Sequence, residues 1–248
     1  MNASNNQNQV EIETKLQFLR EYKLEGNKLD ILIYPHTVLS KKALEIDITK
    51  ITPELINLAK DMLYTLYLAP GVGLAAPQVG KSFRLIVVDV DYTRDKIVSL
   101  DLDSEGDNGE SVDEDSEEDE DLEEEEDDDI DENDENKKRG KKVKAKYKLD
   151  NFHPLVLINP VIVNRVGITK CNEGCLSLPG IHEDVERSLE IDVEYFNLKG
   201  EKEFLHATDL LSICIQHECD HLEGMVLLDH LSLLKRNFHK RKLMKRKR

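Results

Sequence analysis

The chain has 248 residues, with 51 acidic and 34 basic side chains and a formal net charge of -17. That length allows one good-sized core or two small ones. No run of about 18 apolar residues exists to span a membrane. The four cysteines sit in apolar or motif-like settings rather than in the spread of a secreted disulfide scaffold, which favours a reducing compartment.

The charge is local. Asp101 to Asn136 holds 24 Asp and Glu and no Lys or Arg, and Lys137 to Lys148 holds 8 basic residues. The segment from Lys235 to Arg248 holds 9 more. Without these three runs the remainder is only mildly acidic, so the acidity belongs to an insert and not to a folded surface.

In chain order, residues 1–27 form a polar extension. Its first residues, Met1 to Gln9, are Asn-rich, without the apolar core of a secretory signal or the Arg of an organelle transit peptide. Leu29 to Tyr34 is a short apolar run before Pro35, suited to a strand or an extended lead-in. Thr52-Pro53 opens a helix, with Leu55, Ile56, Ala59, Met62, Leu63 and Leu66 at helical spacing, and Ala69-Pro70-Gly71 ends it.

Gly71 to Gln78 follows: uncharged, rich in small residues, with two glycines that let backbone approach something closely. It lacks the Lys-Ser/Thr of a phosphate loop, and alone it reads as tight packing. Phe83 to Val90 is a β-branched strand. The acidic run is too charged to bury a core and reads as a disordered loop between that strand and the next, Leu155 to Val163. Cys171 to Gly180 comes next, then strands at Leu189 to Phe196 and around Phe204.

Thr208 caps a helix from Asp209 to about Leu222, whose apolar residues predict burial on most sides. Met225 to Leu228 looks strand-like, and Ser232 starts a basic C-terminal helix ending in a solvated tail, 241–248.

The helix carries Gln216-His217-Glu218-Cys219-Asp220-His221. His217 and His221, at i and i+4, share one face and can bind one metal, with Glu218 beside them as a general base. Unpaired, such buried polar groups are costly, and a metal would supply their partner. A catalytic site wants a third protein ligand. The position that would hold a third histidine in one protease class is Leu227, although Gly224 fits that pattern, and no Glu follows Glu223. Asp229, His230 and His239 are the remaining downstream candidates. Cys175, after Gly174, is the better third ligand. A thiolate with two imidazoles suits iron(II), zinc, cobalt or nickel. Two alternatives stay open: a closed Cys2His2 site using Cys171, and Cys175 as a nucleophile with a histidine base.

Taken together, three motifs make the chain resemble the peptide deformylases. They are Gly71-Val72-Gly73-Leu74-Ala75-Ala76-Pro77-Gln78, then Glu173-Gly174-Cys175-Leu176-Ser177, then Gln216-His217-Glu218-Cys219-Asp220-His221-Leu222, in that family's order. The resemblance covers about residues 28–98 and 150–240. It implies an α+β fold, with antiparallel β-sheets packed around a central metal-binding helix and a C-terminal helix. It implies one catalytic domain over 28–240, interrupted by the insert at 101–148.

The implied activity is removal of the formyl group from formyl-methionyl nascent peptides, in the vicinity of the ribosome, with no membrane and no direct nucleic-acid site. The implied metal is one Fe2+ per chain, with Zn2+, Co2+ or Ni2+ as alternatives, held by Cys175, His217 and His221. Glu218 would move the proton, and the Gln78 amide and Leu176 N–H would meet the oxyanion. Gly71, Val72 and Gly73 would line the peptide, joined by Glu173, Gly174 and Arg187. Asp220 reads as supporting rather than catalytic, Cys214 and Cys219 as core or lining, and Ser177 as a turn hydroxyl. His153, His182, His206 and His230 have no motif to distinguish them. The composition of the insert leans towards a eukaryotic organelle, a relict plastid or a mitochondrion, with bacterial cytoplasm as the alternative.

Overall fold

The computed structural model describes residues 26–69, 71–97 and 146–246. The acidic run and the first 25 residues lie outside them, as do the readings that concern those segments. Among the described residues no helix is long and apolar enough to cross a membrane.

The fold is α+β. Two compact units are distinguished: residues 1–93 with 149–248, and residues 94–148. The described residues of the second, 94–97 and 146–148, belong to two paired strands, β3 (Thr93–Ile97) and β4 (Lys146–Asp150).

The first unit is built on helix α1 (Pro53–Leu68), a five-stranded sheet and helix α2 (Asp209–Leu222). Thr52 caps α1 by accepting from Leu55 N, and Pro53 occupies the first turn, where a missing N–H costs nothing. The sheet runs β1 (Gly73–Ala75), β2 (Leu85–Val88), β5 (Leu155–Val166), β8 (Glu190–Phe196), β9 (Lys202–Thr208), with all four pairings antiparallel.

All four residues of β2 are buried. Leu85 and Val87 face α1, packing with Met62, Leu63 and Leu66. Ile86 and Val88 face α2, packing with Cys214, Ile215 and Leu222. The period of two thus divides one strand between two cores. Each such side chain is worth roughly 1.5–3 kcal/mol of burial, which fixes α2 against the sheet.

A separate hairpin, β6 (Thr169–Gly174) with β7 (His182–Arg187), carries the second motif at its tip. Sequence reading did not find it, because its residues are mostly charged or polar and show no apolar alternation. Leu29 to Tyr34 forms no strand. It runs extended, and its backbone ties two motif loops together: Leu32 N donates to the Gln78 carbonyl at 2.7 Å and Tyr34 N to the Ser177 carbonyl at 3.0 Å.

Three expectations need correction. Thr208 stands at the N-cap of α2, but its side chain makes no capping hydrogen bond. The apolar run after Gly224 is no strand. Leu227–His230 is a 3-10 turn whose Leu227 and Leu228 fill a third core with Leu178, Ile181 and Val185. The last segment is not simply solvated. Helix α3 (Leu233–Arg246) buries Leu243 in that core, and Glu183 of β7 binds its Lys235 and His239 at 2.6 Å each.

Gly224 belongs to the exit turn of α2. Its φ is +75°, and a Cβ there would meet Lys41 N and C at 2.9 Å. Gly224→Ala is therefore expected to cost about 2 kcal/mol or more, since backbone cannot yield as a side-chain tip can. A thermal melt should show a fall of several degrees; an unchanged Tm would refute this role.

Candidate metal centre

Helix α2 carries His217 and His221, four residues apart and so on one face, with Glu218 beside His217, and the tip of the β6–β7 hairpin brings Cys175 to them. One ligand atom from each of Cys175, His217 and His221 lies within 4.8 Å of the others. Cys175 Sγ is 3.3 Å from His221 Nε2. Among the described residues no other group of three or more His, Cys, Asp or Glu side chains is so arranged, and Cys171 is not part of this one. The closed Cys2His2 alternative therefore has no geometry behind it.

The protonation pattern follows from the neighbours. His217 Nδ1 lies 2.8 Å from Glu173 Oε2, and a carboxylate can only accept, so Nδ1 donates and Nε2 is left to face the cluster. His221 is 1% exposed, and among the described residues its Nδ1 has no hydrogen-bond partner. Burial pushes the Cys175 thiol up, but His221 and His217 outweigh it and pull the thiol down to about 5, which favours the thiolate that binds soft divalent metals. Burial pushes Glu218 up to about 7 against the pull of both histidines. Its Oε2 is buried with no donor among the described residues. A donor set of one thiolate and two imidazoles, beside a carboxylate with a spare oxygen, fits a divalent metal and a group that handles protons.

The wall opposite α2 is the glycine loop. A Cβ on Gly73 would meet Glu218 Oε1 at 2.5 Å and Cys214 Sγ at 2.6 Å, so any side chain there would displace both. A Cβ on Gly71 would touch Leu176 Cδ1 at 3.0 Å, and one on Gly174 the His182 ring at 2.7 Å. Val72, part-buried, packs with the α2 core. Gln78 is 1% exposed. Its Oε1 accepts from Ala75 N at 2.8 Å, which turns Nε2 towards Ser177 Oγ at 3.3 Å and Cys175 Sγ at 3.6 Å. Ser177 is thus the side chain that steadies the Gln78 amide. Leu176 N–H has no acceptor among the described residues.

Behind His217 lies a buried ion cluster. Arg187 grips Glu173 with two N–H groups, at 2.7 and 3.0 Å, and sends a third to Asp220 Oδ2 at 2.6 Å. Burial raises the Glu173 carboxyl, but His217 and Arg187 outweigh it and hold it at about 2. Asp220 also stays below the usual range: burial opposes this, and His230 and Arg187 produce it. His230, whose Nε2 is 2.6 Å from Asp220 Oδ2, enters the sequence reading only as a downstream ligand candidate, and no motif marks its contact with Asp220.

Comparison with known proteins finds peptide deformylases by sequence and by fold. The family model described as polypeptide deformylase matches residues 28–151 and 129–237. The chain is 36% identical over 220 residues to a peptide deformylase of Nitrosococcus oceani, covering 89% of this chain and 96% of that protein. It is 35% identical over 221 residues to one of Xylella fastidiosa, with the same coverage. A solved peptide deformylase of Legionella pneumophila is similar at 30% identity and TM-score 0.60, over 89% of this chain and 95% of that one. One of Ehrlichia chaffeensis, in complex with actinonin, is similar at 27% identity and TM-score 0.62, over 90% and 99%.

Arg187→Ala should leave Glu173 with an uncompensated buried charge. The expected loss is about 3–5 kcal/mol of stability and about 10- to 100-fold in metal affinity. Denaturant unfolding and chelator competition measure the two, and normal metal affinity in a folded variant would contradict the role given to Glu173.

Proposed function

The chain belongs to the polypeptide deformylase family, and on that premise we propose that it is a metal-dependent peptide deformylase. It hydrolyses the formyl group from the N-terminal formyl-methionine of newly made polypeptides, leaving formate and a free amine. The observation that carries this is the meeting of Cys175, His217 and His221 within 4.8 Å, beside the buried Glu218.

Cys175, His217 and His221 would hold one divalent ion, Fe2+ by preference, with Zn2+, Co2+ or Ni2+ as alternatives. Bound there, such an ion acidifies water, to roughly pKa 7 in favourable sites, and polarises a carbonyl. The chain does the rest. Glu218 takes the proton of the attacking water and returns it to the leaving amine. The Gln78 Nε2–H and the Leu176 N–H donate to the oxygen of the formyl group as negative charge grows on it. One such donor is worth about 3 kcal/mol in comparable sites. Strand β1 is at the edge of its sheet, so the Gly71–Val72–Gly73 backbone can pair with an extended peptide. Gly174 keeps the facing loop close, and Glu173 and Arg187 act from behind by fixing His217.

A cysteine nucleophile with His221 as base would also use the 3.3 Å contact, but it gives His217 and Glu218 no task. For location, the bacterial relatives fit a bacterial-type cytoplasm and lend no support to an organelle.

Glu218→Gln should lower formate release from a formyl-methionyl peptide by about 10²–10⁴-fold while the protein still binds its metal. Full activity with metal bound would refute the assignment. In Cys171→Ala, metal content after anaerobic purification should equal that of the unaltered protein; a lost equivalent would revive the four-ligand site.

A further inference from the structure

His217 is the inner end of a chain of side chains that reaches the surface. Glu173 Oε2 lies 2.8 Å from its Nδ1. The Arg187 fork holds both Glu173 oxygens, and the remaining guanidinium arm donates to Asp220 Oδ2 at 2.6 Å. That same oxygen lies 2.6 Å from His230 Nε2. Since the carboxylate only accepts, His230 donates.

The ends differ in burial. Arg187 and Glu173 side chains are each 5% exposed, whereas Asp220 and His230 are 22% and 24% exposed. His230 closes the Leu227–His230 turn, on neither α2 nor the hairpin. An isolated pair at that exposure would matter little. This pair is not isolated. A carboxylate turns about a broad, roughly two-fold torsion, and two donors on one oxygen, from β7 and from the turn, leave Asp220 one orientation. Without His230, Asp220 can turn and Arg187 loses a fixed point for its third arm.

We propose that His230 is a positioning residue for the metal centre: it pins Asp220 on Arg187, so that the guanidinium presents its fork to Glu173 and Glu173 keeps His217 Nε2 directed at Cys175 and His221. The inference rests on the proposed function only for the identity of the metal ligands.

The test uses the full chain and three variants. His230→Phe keeps a ring without a donor, His230→Gln restores an N–H, and His206→Phe removes a histidine–carboxylate pair elsewhere, on β9. Co2+ affinity by chelator competition and the Co2+ absorption spectrum are read beside the melting temperature of the metal-free protein. His230→Phe is expected to weaken Co2+ binding about tenfold and alter the spectrum. His230→Gln should recover most of the affinity, and His206→Phe should match the unaltered protein. Undiminished affinity in His230→Phe, or an equal loss in His230→Gln, overturns the proposal. Should His230→Phe fail to fold, His230→Ala takes its place in the same comparison. Formyl-peptide hydrolysis is assayed separately: an inactive but metal-binding unaltered protein would sink the deformylase reading and not this one.

Discussion

The centre depends on one buried carboxylate. Glu173 is the penultimate residue of β6, yet it bonds across to α2 through His217 and across the hairpin to Arg187. Burying a charge costs several kcal/mol unless geometry and hydrogen bonds are excellent. Here two oxygens take three N–H donors at 2.7–3.0 Å. The group therefore remains ionised deep in the protein. The contact that docks the hairpin on the helix is also the contact that sets the tautomer of His217, one of the three residues that could hold a metal, so packing and the geometry of the centre are not separable at this residue.

The rest of the fold delivers parts to that joint. One face of β2 holds α1 and the other holds α2. Strand β1, beside β2, then sets the glycine loop against Glu218. The extended lead-in stitches the Gln78 and Ser177 backbones together, and Ser177 in turn meets the Gln78 amide. Three loops distant in sequence are thus registered by main-chain bonds, which do not depend on side-chain identity. Side chains are left for the chemistry.

Much of this was legible before any coordinates. The i, i+4 histidines point by spacing to a shared face that could hold a metal, Cys175 is the better upstream candidate because downstream ones are missing, and the structure brings the three together. Helix α1 is read from its cap, its proline and its apolar period. What stayed hidden has physical causes. The β6–β7 hairpin is built of charged residues whose pairing shows only in three dimensions. Leu227 and Leu228 look like a strand because a run of apolar residues in a 3-10 turn has no period of its own. The Asp220–His230 contact joins a helix to a turn outside every motif. Ser177 reads as an ordinary turn hydroxyl until the Gln78 amide is placed beside it. Taken alone the glycine loop reads as packing, and in the structure Gly73 is pressed against Glu218 and Cys214.

That tightness has an evolutionary side. At position 73 the space for a Cβ is already taken by Glu218 and Cys214, so the chain has no side chain there to vary. A competitive inhibitor that gripped the β1 backbone would meet a surface that point mutation can scarcely redraw. Escape would have to arise at Val72 or at the hairpin tip, where side chains exist to be exchanged. Drug contacts on the main chain of this loop would accordingly be the slowest to be lost to resistance.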